Sequence, residues 1–571
     1  MYKKTNPQQS LFGIDTQLSE GLQTRLRSSW AHLFHVEILP ILFRSEDEFS
    51  LLYGKTGRPN FSVARAIGLC LLQEYNDLSD QEALDAFGFD IRWRYALDVN
   101  DDQAYLSRRS LVEFRRRLAV NDPEMKLMRG IFEKISKRAM KNLKLSTSQQ
   151  RLDSTIVVSN IRTRGRLDLF ATTIKHFIRS LNEKKYLRIP KHIREWHELE
   201  KESWFGMPRD QHKAKLKQLA QYAHKLIKRF KNDKEINRCE RYELLVRLFK
   251  EQCEIKKEPK SDISKGDDNQ IELKKKTQGE TLQSPFDPDA SYGHKGSGYS
   301  AHITETCNNK DKNEIITDYE VHGAARSDMG KTPGVIDRLE SAGLKPKKLF
   351  ADGGYPSVPS ALKVVERNIE LIAPVNRSRI PDEIMGRDRF QFDENDLAVK
   401  CPEGHSPIDH RMLSHNNKKG KSLYAIFDGD ICRKCSKLNI CPVRAPNHRA
   451  RDCKPQDTIG NFRLDISLDL LLRDQMFANQ QTDEWKEQYK IRSGVEATMS
   501  ELKRKHGMGK LRVRRAAKVC FAVACKVIAC NIKRWAKAHT ASNEALNHLR
   551  CLILRCIDQI EANIYKYALV S

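Results

Sequence analysis

No stretch of this 571-residue chain is apolar for long enough to span a bilayer. The longest apolar runs, such as Cys520-Phe-Ala-Val-Ala-Cys525, stop at a charge, Lys526, well short of the roughly 20 residues a spanning helix needs. No apolar leader follows Met1-Tyr-Lys-Lys-Thr-Asn either, so a cytoplasmic protein is the expectation, with no membrane partner. In that compartment the 14 cysteines read as reduced thiols or metal ligands, not as disulfides. Acidic charge is the scarcer sign. Lys and Arg number 101 against 75 Asp and Glu, which gives a formal net charge of +26 and a pI near 9.4. Such a balance favours a polyanionic partner through counterion release. The excess is local, because Tyr489 to Lys518 holds ten Lys or Arg and only two Glu, a pattern that suits a groove for a phosphate backbone. A hydrophobic content of 39% supports real cores and excludes a disordered tail, and the length allows two or more domains.

The most informative segment is Tyr489-Lys-Ile-Arg492-Ser-Gly-Val-Glu496-Ala-Thr-Met-Ser-Glu-Leu-Lys503. If it is one helix, Tyr489, Arg492, Glu496 and Lys503 lie within an arc of roughly 60°, while Ile491, Val495, Met499 and Leu502 form a separate apolar stripe. One stripe can be buried while the other meets a charged ligand. A carboxylate among cations can hold a divalent metal while its neighbours hold phosphate oxygens. The plainer reading of Arg492 and Glu496 is a surface i,i+4 ion pair worth about 0.2–0.5 kcal/mol.

This Y-x2-R-x3-E-x6-K pattern resembles the third catalytic motif of bacterial insertion-sequence transposases of the D-D-E type. That resemblance implies two aspartates upstream, each on or just after a short strand. Gln150-Arg-Leu-Asp153-Ser-Thr-Ile-Val-Val places Asp153 in a β-branched run, and Lys348-Leu-Phe-Ala-Asp352-Gly-Gly places Asp352 after an apolar strand and before a glycine turn. Asp289 and Asp328 are the rival carboxylates. Neither combines a strand before it with a glycine turn after it, so Asp289 reads as turn chemistry and Asp328 as a helix start after Ser327.

The fold class implied is α/β (α+β): a ribonuclease-H-like mixed sheet core with flanking helices, preceded by an all-α N-terminal domain. The expected division is a helical N-terminal transposase domain over 20–145 and the catalytic domain over 146–540. The latter is interrupted by a helical insertion over 165–255, a flexible linker over 256–284 and a cysteine-containing insertion over 385–455. A C-terminal helix is expected over 541–571. Capping-box sequences at Ser79-Asp-Gln-Glu82 and Ser110-Leu-Val-Glu113 are expected to open two N-terminal helices. Gly57-Arg-Pro59, Leu78-Ser-Asp80, Ile91-Arg-Trp93-Arg-Tyr95 and Phe114-Arg-Arg-Arg-Leu118 resemble the N-terminal domain of these transposases, which implies recognition of terminal inverted repeats. A bundle that only braces the core or dimerises is an equal alternative. Amphipathic repeats such as Phe170, Ile174, Phe177 and Leu219, Ala223, Leu226 mark the insertion, and the Lys-, Asp- and Gln-rich stretch after it marks the linker.

By resemblance, Asp153, Asp352 and Glu496 are the catalytic and metal-binding residues. They would hold Mg²⁺ or Mn²⁺ as two ions, Asp153 bridging both. Gly353 and Gly354 would ease a sharp turn beside them. Tyr489, Arg492 and Lys503 would grip phosphates flanking the scissile bond. The basic cluster of Arg512, Arg514, Arg515 and Lys518 reads as a further DNA-binding surface, with a simple flank of the apolar helix from Ala516 to Trp535 as the alternative. Cys401, Cys432, Cys435 and Cys441 have the spacing of a structural Zn²⁺ knuckle, with His405 or Cys453 as substitute ligands; a metal-free hairpin is the alternative. The implied partners are double-stranded DNA, as terminal inverted repeats and as target, and a second copy in a homodimer on paired ends. A nucleoid-associated cytoplasmic setting follows. Two rival functions remain at this stage: a metal-dependent nuclease on the same core, and a catalytically silent DNA-binding repressor.

Overall fold

The segment Gln149–Val157 carries Leu152, Thr155, Ile156 and Val157, types that favour extended backbone, and it forms the central strand of a six-stranded mixed sheet. The computed structural model describes residues 1–5, 13–100, 103–161, 165–199, 208–255, 271–275, 279–309, 313–375, 383–393, 397–414, 421–445 and 460–541. On one side the central strand pairs antiparallel with Gly296–Thr306, which pairs in turn with Ile316–Gly323 and with the short Ser291–Gly293. On the other side it pairs parallel with Lys348–Ala351, which is followed outward by the parallel strand Glu370–Ile372. The principal strands thus lie in the order third, second, first, fourth, fifth. Leu152 is the register partner of Ala351, so Asp153 and Asp352 are the next residues along two adjacent parallel strands. That register alone brings the two aspartates side by side.

Helices from Glu20–Arg27 to Lys126–Asn142 precede the sheet, and they share one continuous hydrophobic core with it and with the helix at 516–541. Phe132 meets Tyr319 edge-on at 5.0 Å, and Arg129 pairs with Asp318 at 2.8 Å. Asn531, fully buried, accepts from the Ile316 amide and donates to the Ile316 carbonyl and Ser136 Oγ, each at 2.9 Å. One side chain therefore clamps the helix at 516–541 to both an edge strand and the last N-terminal helix, with the oxygen and nitrogen of its own amide both paired.

Ser79 and Glu82 form a reciprocal capping box at the start of Asp80–Phe89. Ser79→Ala is expected to lower stability by about 1 kcal/mol, read as a shift of the urea midpoint at constant slope. Ser110 does not cap. Ser107 opens Arg108–Asn121 by accepting from the Ser110 amide, and Glu113 pairs instead with Arg116 and Arg117.

After the central strand the chain enters Arg166–Ile178, Glu183–Tyr186, Lys191–Glu198, Arg209–Phe230 and Glu240–Gln252, packed around a second core that includes Phe170, Phe177, Leu219, Phe230 and Leu245. Part of the expected linker is ordered: Ile271–Leu273 pairs antiparallel with Cys253–Ile255, while 256–270 and 276–278 lie outside the described residues. A third, small core around Phe390, Ala425, Phe427 and Leu464 supports the three-stranded sheet of Asp409–Ser414, Lys421–Phe427 and Phe462–Asp465. The expected C-terminal helix falls outside the described residues beyond 541. Among the described residues no helix is long and apolar enough to cross a membrane.

Candidate active site

The signature segment is not one helix. Asp483–Tyr489 ends in a tighter 3₁₀ turn, Lys490–Ser493, before Gly494–Lys505 begins. The apolar stripe survives this break: Val495, Met499 and Leu502 are buried, and Ile491 packs beside Phe350 and Ile372. Two polar ties fix the segment against the sheet. Thr498 Oγ1 donates to Glu305 Oε2 at 2.7 Å, and Arg151 donates to the Ile491 carbonyl at 3.1 Å while pairing with Glu305 at 2.7 Å. Glu305 is fully buried, and Arg534 also meets it, at 2.9 Å.

These ties bring Arg492 into the mouth of the sheet, where it touches all three predicted carboxylates. Its guanidinium lies 2.7 Å from Asp153 Oδ2, 4.0 Å from Asp352 Oδ2 and 3.2 Å from Glu496 Oε1. Asp153 is nearly buried, Asp352 half-exposed and Glu496 exposed. Burial raises the Asp153 carboxyl above its ordinary value, opposed by the Ser154 amide at 2.7 Å and by Arg492. Burial also works against the charge of Arg492, but the carboxylates outweigh it and hold the guanidinium above its ordinary value. Three acids from three elements surround one cation, which offsets part of their negative charge.

The Asp352 carboxylate accepts from the Gly353 amide at 2.6 Å, and its carbonyl accepts from the Tyr355 amide at 3.0 Å. Gly353 and Gly354 both have ordinary φ, so the turn does not use the left-handed freedom of glycine. What constrains Gly353 is room, since a Cβ there would stand 3.3 Å from the Pro374 carbonyl. Tyr489 stacks on Trp485 at 4.8 Å, with its hydroxyl 3.4 Å from the Ala351 carbonyl. Lys503 is exposed on the same helix as Glu496, two turns further along.

Asp328 corrects the sequence reading. It does not start a helix, because the next one begins at Thr332 with Lys331 as its cap. Its carboxylate instead accepts from Ser154 Oγ at 2.7 Å and faces Lys295 at 3.7 Å and His302 at 3.5 Å, one residue from Asp153. Asp289 also has a fuller role than turn chemistry, since it caps the terminal helix by accepting from the Ala516 amide at 2.9 Å. Behind Asp328 runs a chain of neutral groups. His322 Nδ1 lies 2.9 Å from the Gly323 carbonyl, which can only accept, so its proton sits there and Nε2 accepts from His302 at 2.6 Å. His302 Nδ1 then accepts from the Tyr355 hydroxyl at 2.7 Å, and burial keeps that hydroxyl protonated. No sequence motif announces this chain, because its members come from two strands and a turn.

Burial holds both His302 and His322 below the ordinary histidine value of 6.5. The unfolded chain therefore binds protons more readily than the folded one below that value, so stability is full above it and is lost as pH falls. The melting temperature is expected to drop between about pH 7 and pH 5, and to drop less in His302→Gln.

Of Arg512, Arg514, Arg515 and Lys518, the three arginines are engaged within the chain. Arg512 donates to the Leu78 carbonyl at 2.5 Å, Arg514 to the Asn160 carbonyl at 2.5 Å, and Arg515 pairs with Glu240 at 2.9 Å; Lys518 is exposed. They tie the strand-end loop to the N-terminal helices and to the helical insertion. Cys401, Cys432, Cys435 and Cys441 line one cavity of about 40 Å³ together with His405. Burial, then the neighbouring thiols, pushes Cys432 up to about 12, while burial pushes Cys441 up to about 11. Thiolates are a donor type that zinc favours. Cys453 lies outside the described residues.

Two family models match parts of the chain. Residues 400–536 match a transposase DDE domain, and residues 35–117 match a transposase domain, DUF772. The first match contains Glu496 and the cysteine cluster but begins after both aspartates. No curated protein and no solved structure matches the chain.

Proposed function

We propose that the chain is a D-D-E transposase of a bacterial insertion sequence, with a ribonuclease-H-like core. The observation that carries this reading is the convergence of Asp153, Asp352 and Glu496 on one guanidinium, because a donor set that accommodates a cation suits divalent metal. The strand order and the two transposase-domain matches support it. Asp153, Asp352 and Glu496 would hold two Mg²⁺ or Mn²⁺ ions, with Asp153 shared between them. Bound ions of this kind activate the attacking oxygen and stabilise the leaving one in an in-line displacement.

Arg492 has two roles on this reading: it balances the acids when they are free, and it meets phosphate when DNA is present. Tyr489 and Lys503 grip the flanking backbone. At an element end, a water oxygen bonds to phosphorus as the bond from phosphorus to the 3′ oxygen breaks, which leaves a 3′-hydroxyl and a 5′-phosphate. That hydroxyl then attacks a target phosphodiester, one P–O bond forming as another breaks, so joining needs no external energy source. The N-terminal helices would read terminal inverted repeats, and a homodimer would pair the two ends. The cysteine cluster would hold a structural Zn²⁺.

The test is incubation of the purified chain and Mg²⁺ with a plasmid carrying the DNA that flanks its gene. Strand-transfer products are expected. Cutting without joining would make the protein a nuclease, and binding without cutting, in Mn²⁺ as well, would make it a repressor.

A further inference from the structure

Away from the three acids, Glu501 and His506 stand at the C-terminal end of the helix that carries Glu496, and Cys530 faces them from the helix at 516–541. Their carboxylate, imidazole and thiol donor atoms all lie within 4.8 Å of one another. His506 and Cys530 are fully buried. His506 Nδ1 is 3.1 Å from the Glu74 carbonyl, which can only accept, so the ring proton belongs on Nδ1. Nε2 is then a bare lone pair, buried and without a hydrogen-bond partner. An orphaned buried acceptor is costly, and a histidine tied by one nitrogen to a backbone carbonyl with the other left free is the arrangement found in metal-ligating histidines. Arg534 makes both of its bonds to Glu501, at 3.0 and 2.9 Å, on Oε2 alone, so Oε1 takes neither of them.

We infer that Glu501, His506 and Cys530 form a metal site for one Zn²⁺, separate from the three acids and from the four-cysteine cluster. One thiolate, one imidazole and one carboxylate are a donor set for a borderline transition metal and not for Mg²⁺, which prefers oxygen throughout. On binding, the Cys530 proton leaves to solvent, and the two negative ligands balance the dication. A water completes the tetrahedron through the exposed side of Glu501, whose side chain is 23% accessible. The ion ties the end of the Glu496 helix to the terminal helix and, through His506, to Glu74 at the end of Val63–Tyr75.

The full-length protein, equilibrated with excess Zn²⁺ and dialysed, is assayed for zinc per chain beside Cys530→Ala and His506→Gln. Each variant is expected to hold one equivalent less than the wild type. Cys530→Ala removes one atom from a packed helix, and His506→Gln retains a donor for the Glu74 carbonyl, so the two variants guard against a loss caused by misfolding of either. A second measurement uses Cys432→Ser/Cys435→Ser with Co²⁺. A near-ultraviolet thiolate-to-cobalt band of one-thiolate intensity is expected to persist there and to vanish when Cys530→Ala is added. Unchanged zinc content in both single variants, or no cobalt band in a double variant whose circular dichroism matches the wild type, would overturn the assignment.

Discussion

Asp352→Asn is expected to abolish strand cutting and joining while leaving the fold intact. The carboxylate is 47% exposed, and its close partners are the Gly353 amide at 2.6 Å and the more distant Arg492 at 4.0 Å. A surface change of this kind usually shifts stability by no more than about 0.5 kcal/mol. On the proposed function, turning one of the three metal-holding carboxylates into a neutral amide removes several kcal/mol of transition-state stabilisation, a fall on the order of 10³-fold or more in rate. Plasmid cutting measured over a range of Mg²⁺, with melting curves alongside, separates the two effects. Asp328→Asn supplies the contrast: it removes the charge that faces Lys295 and His302 but keeps an oxygen able to accept from Ser154, and it is expected to spare most of the cutting. An active Asp352→Asn protein beside an inactive Asp328→Asn protein would reverse the assignment of the second carboxylate.

Arg492→Ala is expected to weaken the metal-free protein by about 3–5 kcal/mol, because it leaves the nearly buried Asp153 without its partner and close to two further acids. The Arg492 and Asp153 side chains are only 18% and 10% exposed, so solvent offers little relief. Divalent metal should restore much of the loss, since it would take over the charge balance that the guanidinium provides. The measurement is thermal unfolding with and without Mn²⁺. A larger metal-induced rise in the variant than in the wild type is expected, and equal rises would rule out competition between Arg492 and metal for the same three acids.

The strands beside the aspartates are legible because β-branched and apolar residues cluster there and, after Asp352, a glycine turn follows. Glu496 and Arg492 were legible as a spaced motif, though the spacing misled in one respect. A 3₁₀ turn displaces an apolar stripe only slightly, so the pattern from Ile491 through Val495, Met499 and Leu502 reads as one helix, although the turn at Lys490–Ser493 separates Ile491 from the other three. Ser107 and Ser110 each precede helical residues at capping distance, and local sequence does not choose between them. Asp328 was missed because an aspartate after a serine near a helix looks the same whether it caps a helix or is drawn towards Ser154 and Lys295 by the tertiary fold. The sharing of one core by the N-terminal helices and the sheet was beyond reach for a related reason: amphipathic periodicity tells which face is buried, not what covers it. The internal engagements of Arg512, Arg514 and Arg515 likewise depend on carbonyls and a carboxylate distant in sequence.

The helical insertion leaves the sheet beyond Val157 and returns just before Ser291–Gly293, and it closes around aromatic and aliphatic side chains of its own. Residues in that bundle can therefore change in number and kind without altering the register that sets Asp153 beside Asp352. That bundle is the segment free to diversify.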